Sequence, residues 1–598
     1  MTASGVAGNS PLPKWQLALV VGAPVALGLG YMYYKNKNSN GSSDRASKSS
    51  ERDKFRSGTT SSKENGAPAD KQISIDGDCP PKVPSPVTES EVKRSWIMIP
   101  LQKAQKYKNE GNVQFKMGKY DEAIIRYNKA IDICPNENKE DLATFYQNRA
   151  AAYEQLKKYS AVKADCTKAL ELNPKYAKAL LRRARALEQI GDLEAALEDI
   201  TAACIHEGFY NQTSLSLADK VLGKLGKQHA QENLANKKFI MPSKHFIKTY
   251  IMSFPNDPVF TRLQHSEDIP QFFKKPLQAL KDEEYDDIIP LCTEVIKSSE
   301  FNILPSSKME VLLLRATFHL LLGEYDAAIQ DFESILNSEE TSKDVKVNAL
   351  IKRATLYMQL ENPDMTFKDF ELAISINPKY GDIYHHRGQL NLLMHKMDEA
   401  KSDYEKAIHY NPDFGIAYVQ KCYTDYRFAI FNRDVRLAEE AMKDFEKAFI
   451  KFPDRSECYM LYAQMMAETQ QYDKADMYFA KAIEKDPKNA TIYVHKGLLQ
   501  LQWNGNIDKA VEYFRKALET DEKCEHAYES LGSIEVQRGN IREAIRLFDK
   551  ALELCRTSME LAHLYSLRDA AQTQLNLQNR LGMEGIRTPS LFNPNPMS

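Results

Sequence analysis

Five polar side chains raise the first chemical question. Lys108 and Asn112 lie four apart in KNEGN, Lys178 and Arg182 lie four apart in KALLRR, and Asn148 stands between them in FYQNRAAAY. Residues four apart share one helix face. Two lysines and an arginine offer charge-assisted donors, and two asparagines offer amides that bind both carboxylate and peptide backbone. The set could bind a carboxylate and a peptide backbone together, provided that three separate segments bring it to one groove.

Internal repetition supplies those segments. A small residue is followed twelve positions on by Ala, then by an aromatic four later and Ala three later: Gly111, Ala123, Tyr127, Ala130, with Pro135 closing the unit. Gly388, Ala400, Tyr404, Ala407 and Pro412 repeat it, as do Gly532, Ala544, Phe548 and Ala551. Ala463, Ala475, Phe479, Ala482, Pro487 and Ala316, Ala328, Phe332 follow the same frame. This spacing predicts a helix-turn-helix unit in which the small residue admits the second helix, the aromatic fills the space between, and proline stops the chain from continuing as helix. One such unit cannot bury its own apolar face, so the units must stack into a superhelix whose concave surface is lined by first helices.

The period and pattern resemble tetratricopeptide repeats. About eleven are expected, three near residues 102 to 208 and about eight from 272 to 556. The expected fold is all-α: an N-terminal transmembrane helix followed by a right-handed solenoid in two arrays. One repeat carries an insertion around Phe428 to Val435, and the turn holding Trp503 and Gly505 has one extra residue. Composition agrees, with 25 Gly, 26 Pro and 27% charged residues in a chain of 598. The net charge of −2 gives no global argument for nucleic acid. Nine scattered cysteines without a CxxC pair read as reduced cytosolic thiols.

Residues 15–34, WQLALVVGAPVALGLGYMYY, carry no charge and are long enough to cross a bilayer, with Trp15 and Tyr31, Tyr33 and Tyr34 as interfacial anchors. A cleaved signal peptide is the alternative. Lys14 alone precedes the stretch, whereas Lys35, Lys37, Arg45, Lys48 and Arg52 follow it, so the bulk of the chain is expected in the cytosol. The division expected is a short tail at 1–14, an anchor at 15–34, a flexible linker at 35–95, a clamp domain at 96–208, a connecting helical region at 209–271, a second array at 272–570 and a tail at 571–598.

Lys108, Asn112, Asn148, Lys178 and Arg182 resemble, position by position, the dicarboxylate clamp by which tetratricopeptide co-chaperones hold the acidic Glu-Glu-Val-Asp tails of 70- and 90-kDa heat-shock chaperones. The order of anchor, linker, clamp and longer second array is similar to that of the 70-kDa import receptors of the translocase of the outer mitochondrial membrane. FYQNRAAAYEQL, CIHEGF, YHHRGQL, YVHKGLLQLQW and AHLYSL look like the animal form. The resemblance implies a receptor in the mitochondrial outer membrane, working with other translocase subunits. Chaperones would dock at the first array, and preproteins with internal targeting signals, such as inner-membrane carriers, would bind the second. A chaperone-recruiting scaffold tethered to another organelle is the rival reading.

For the second groove, Tyr384, His386, Arg387, Gln389, Gln420, Tyr493, His495 and Lys496 form a mixed aromatic, amide and basic lining suited to peptides of loose specificity. Each tyrosine or histidine there is equally readable as repeat core. Neighbouring His385 and His386 point apart on a helix and no third ligand is evident, so no metal and no cofactor is expected. No phosphate loop, dinucleotide fingerprint, nucleophile elbow or HExxH helix occurs, and an enzyme is not expected.

Overall fold

The computed structural model describes residues 99–581 apart from 209, 265–270 and 299–304. The expected anchor at 15–34 and linker at 35–95 lie outside the described residues, and no helix among the described residues is long and apolar enough to cross a membrane. Every regular element among the described residues is helical. They fall into two compact units, one ending at Gly191 and the other beginning at Asp192.

In the first unit the helices Pro100–Lys116 and Tyr120–Ile133 pair, as do Lys139–Gln155 and Tyr159–Leu172, with Ala177–Ile190 stacked after them. The small residue is a steric requirement: a Cβ added to Gly111 would lie 2.6 Å from Tyr127 Cε1. Ala123, Tyr127 and Ala130 are fully buried beneath it. In the next repeat Cys166 takes the place of the aromatic, and Ala150, Val162 and Ala169 close around it. A second device fastens the paired helices. Arg149 grips Asp165 through Nε at 2.8 Å and Nη2 at 2.6 Å, a bidentate pair that fixes orientation as well as charge.

The second unit contains eight helix pairs among the described residues, from Lys274–Lys281 with Ile288–Lys297 to Glu525–Arg538 with Ile541–Leu554. The arginine-aspartate fastener recurs at the same sixteen-residue spacing in Arg315–Asp331, Arg353–Asp369 and Arg387–Asp403. Gly532 repeats the close approach, with Phe548 Cε1 2.7 Å from its would-be Cβ. The insertion at 428–435 lengthens both helices of one hairpin to 17 residues, Gly415–Phe431 and Val435–Lys451. The pairs on either side have helices of 13 and 14 residues.

Two expected boundaries move. The helix Leu193–His206, assigned from sequence to the clamp domain, packs in the second unit against Gln212–Leu234 and Ser558–Leu581. Its buried Leu197, Ile200 and Cys204 give the reason, for they need an apolar partner. The final helix runs on to Leu581, past the expected end at 570, because Ala571 and Leu577 are buried against its partners. His229 on Gln212–Leu234 holds Asp569 at 2.8 Å across the same seam.

Residues 236 to 264 depart most from expectation. They do not merely connect domains: their start bonds to the end of Ile541–Leu554 and the turn before Glu525–Arg538, and their later part packs on the first helices Pro305–Leu322, Lys343–Gln359 and Gly381–Leu393. Lys237 Nζ donates to the carbonyls of Leu552 at 2.7 Å and Glu553 at 3.1 Å, and Lys523 Nζ donates to Met241 O at 3.0 Å. Further along, Ile247, Tyr250, Phe254 and Val259 join the main apolar core of the array. Asn256 donates through N and Nδ2 to the two oxygens of Asp382, at 3.1 and 2.8 Å. Asp257 pairs with Lys352, both wholly enclosed, while Lys352 also donates to Thr317 Oγ1 at 2.8 Å.

Candidate peptide-binding sites

In the first unit the structure places all five expected residues on the helices that sequence assigned to them, Lys108 and Asn112 on Pro100–Lys116, Asn148 on Lys139–Gln155, and Lys178 and Arg182 on Ala177–Ile190. Asn112 Oδ1 accepts from Tyr127 OH at 2.8 Å and from Asn148 Nδ2 at 3.3 Å. With its oxygen filled twice, Asn112 offers a ligand its amide N–H groups. Burial pushes the Tyr127 phenol up to about 12, so the hydroxyl stays a donor. The repeat's packing aromatic therefore also sets the rotamer of a site residue.

Arg182 Nε donates to Glu154 at 2.8 Å and its Nη1 to the carbonyl of Gln147 at 3.3 Å, which ties the third first-helix to the second beside Asn148. Arg185, one turn on, approaches the same glutamate at 4.0 Å. Among the described residues the ammonium groups of Lys108 and Lys178 have no hydrogen-bond or ion-pair partner. Lys178 is exposed and Lys108 half-buried. Arg183 turns away to Thr167 Oγ1 at 3.2 Å. Sequence reading missed Glu154, which sits at no motif position, and the hydroxyl role of Tyr127, whose place in the repeat is explained by its ring alone. Contact across helices alone reveals them.

In the second unit most of the expected lining is committed to the wall itself. Tyr384 and Tyr493 bond back to the carbonyls of Pro378 at 2.7 Å and Pro487 at 3.2 Å, each capping the end of the preceding repeat. Arg387 holds Asp403 at 2.9 and 2.6 Å, and Lys496 donates to Asp476 O at 3.2 Å. Gln389 meets His385 Nε2 at 3.1 Å, and Gln420 accepts from Tyr404 OH at 3.5 Å. His386 donates to Ser253 O at 3.0 Å and stacks on Phe254 at 4.1 Å, so the chain's own segment covers it. Burial holds His386 down to about 3 and His385 well below the imidazole range. All seven of these residues thus make hydrogen bonds within the array, which uses them to close its own polar groups.

His495 differs. It lines a cleft with Gln464, Glu468, Phe479, Leu498, Leu499 and Gln502. Its ring lies parallel to Phe479 at 6.0 Å, and Gln464 Nε2 approaches its Nε2 at 3.1 Å. Gln464 Oε1 is buried without a partner, an acceptor awaiting a donor. Burial raises the Glu468 carboxyl, opposed by Arg427 at 3.3 Å. No group of three or more His, Cys, Asp or Glu among the described residues is arranged to hold a metal ion.

Tetratricopeptide-repeat family models match residues 111–157, 143–176, 166–198, 347–380, 381–414 and 501–558. The human mitochondrial import receptor subunit TOM70 is 43% identical over 96% of this chain and 94% of its own length. The rat protein of that name is 42% identical over 98% and 95%. The crystal structure of yeast Tom70 matches at 24% identity and a TM-score of 0.48, over 81% of this chain and 99% of that one. With identity sustained across nearly the whole of both chains, this protein belongs to the TOM70 family of mitochondrial import receptor subunits.

Proposed function

We propose that the chain is an outer-membrane receptor, anchored by residues 15–34, that grips the acidic C-terminal tails of 70- and 90-kDa chaperones in its first unit. It takes preproteins with internal targeting signals, such as inner-membrane carriers, in its second unit and passes them to the translocase pore. It does no chemistry on its cargo. The observation that carries the clamp reading is the state of its donors: among the described residues Lys108 and Lys178 have no partner, and Asn112 is held with its amide nitrogen to offer. A terminal carboxylate and an aspartate side chain supply the two negative charges this site lacks. The small cleft at Gln464 and His495, with its apolar walls and orphaned acceptor, is one place in the second unit that suits a small donor group of the cargo.

Calorimetry of the full chain in nanodiscs against a peptide ending Glu-Glu-Val-Asp tests the reading. Lys108→Ala removes a side chain with no internal partner, so it leaves the fold intact; it is expected to weaken binding by about 2 kcal/mol, or roughly thirtyfold. Arg182→Ala should cost at least as much, since it also strands Glu154 facing an acidic peptide. Equal binding by wild type and Lys108→Ala, or by the amidated peptide, would sink the clamp.

A further inference from the structure

The lengthened hairpin ends in a tip unlike its neighbours. Ile430, Phe431 and Val435 are 52%, 79% and 72% exposed. The turns of the hairpins on either side show His395 and Lys396, and Thr469 and Gln470, to solvent, while Met394 and Met397 pack onto the core. Arg433 and Arg436 flank the apolar residues, both exposed, and among the described residues neither guanidinium has a partner. Asp434, the acid within the tip, accepts from Leu437 N at 3.1 Å and so is engaged in capping the second helix. Glu439 and Glu440 follow a turn later on that helix. Each helix of the hairpin is three or four residues longer than its neighbours, which at 1.5 Å per residue carries the tip about 5 Å beyond the adjoining turns.

We propose that this tip is a membrane-contact site that inserts Phe431, Ile430 and Val435 shallowly among lipid headgroups while Arg433 and Arg436 pair with anionic lipid phosphates. Three side chains on a convex projection fall far below the roughly 1,000 Å² that a stable protein interface needs. They suffice for a bilayer contact when another part of the chain is already held there, because tethering supplies a high effective concentration. Aromatic and aliphatic groups beside unpaired arginines match the headgroup boundary, where apolar surface and anionic phosphate lie a few ångströms apart. A neutral or purely polar tip would gain nothing there. The inference rests on the reading of residues 15–34 as an anchor, and it assigns the second unit a face that turns toward the bilayer.

The test uses the full chain with Cys79→Ser in vesicles of phosphatidylcholine with or without phosphatidylinositol. The eight other cysteines are buried, so a fluorophore can be placed at Asn432→Cys, or at the exposed control position Glu484→Cys. Nitroxide lipids labelled near the headgroup are expected to quench position 432 about threefold more than position 484 when anionic lipid is present. Arg433→Glu with Arg436→Glu, and separately Phe431→Ser, should bring position 432 down to the control level. A chain that floats with vesicles yet quenches equally at both positions overturns the tip while leaving the anchor standing. A chain that does not float overturns both. Quenching insensitive to Phe431→Ser, or a tip that cross-links to a protein in mitochondria while showing no lipid quenching, also overturns it, the latter in favour of a protein partner.

Discussion

The two units use the same repeat to opposite ends. In the first, Lys108 and Lys178 on the face lined by first helices find no partner among the described residues, and Asn112 is oriented by Tyr127 from behind. In the second, three first helices are covered by the later part of residues 236 to 264, which puts Phe254 on His386 and Asp257 on Lys352. A groove left open can recognise a ligand by charge, whereas one filled by its own chain has been turned into core. Beyond that segment, Gln464 and His495 line a small cleft among the described residues.

The sharpest way to break this contrast is to attack the filling segment. Asp257→Ala leaves the Lys352 ammonium enclosed and unpaired, and should destabilise the second unit by about 3–5 kcal/mol in chemical denaturation. The same variant should keep its affinity for the acidic peptide, which is read in the first unit. Replacing both partners by Lys352→Met and Asp257→Leu should recover most of the loss, since a buried pair is costly mainly when half of it is removed. A denaturation midpoint unmoved by Asp257→Ala would mean that the segment is not part of the core.

Acid should separate the units next. His385, His386 and His495 are buried, and burial holds their folded values below the usual imidazole range, at about 3 for His386 and His495. A depressed folded value means that their contribution is fully present above pH 6.5 and is lost as pH falls toward 3. Each loses up to about 1.4 kcal/mol per pH unit in that window. Asp382 works against them: burial raises it to about 7, so its contribution grows as pH falls from 7 toward 4. Glu468 and Asp569, also raised by burial, act in the same sense as Asp382; the three histidines still outweigh these acids, and the second unit should lose about 1 kcal/mol between pH 6.5 and 5.5. The described first unit contains no histidine and should change little. Denaturation curves at the two pH values check this, and His386→Gln should flatten the difference.

How much of this was legible follows from what each signal depends on. The repeats could be read because Gly111, Tyr127, Ala130 and their equivalents are demanded by packing inside a single unit, at fixed spacing. The clamp helices could be read for the same reason, as each donor sits at a set distance from those landmarks. Residues 236 to 264 could not, since their partners lie from about a hundred to three hundred residues away, as with Asp257 and Lys352 or Lys237 and Leu552. No local periodicity encodes such pairing. The Arg–Asp fasteners were in plain view at a constant sixteen-residue spacing, but charged residues are abundant on helices and the pattern lies between two helices rather than within one. The same abundance made Arg387 look like a groove residue.

A smaller effect is expected where the repeat's packing supports the clamp. Gly111→Ala forces a methyl to within 2.6 Å of the Tyr127 ring, and the helices must part or the ring must shift. About 1–2 kcal/mol of stability should be lost. Gly388→Ala meets its tyrosine at 3.3 Å and should cost less. If the two substitutions destabilise equally, close approach is not what selects glycine at these positions.

The finest comparison is between the two tyrosines that fill the same place in their repeats, Tyr127 and Tyr404. Elsewhere Phe332, Phe370, Phe445, Phe479 and Phe514 do that work without a hydroxyl, so packing alone does not call for one. Tyr404 OH reaches Gln420 at a long 3.5 Å, within the wall of the second array, whereas Tyr127 OH donates at 2.8 Å to a clamp amide. Tyr127→Phe keeps the ring and removes that donor, freeing Asn112 Oδ1 to turn toward an incoming carboxylate, which it would repel. Peptide affinity should fall by about 1 kcal/mol with little change in stability. Tyr404→Phe should leave peptide affinity unaltered. The outcome that counts against the argument is a loss of stability without a loss of affinity in Tyr127→Phe, for it would make the hydroxyl a packing feature in both arrays and the orientation of Asn112 incidental.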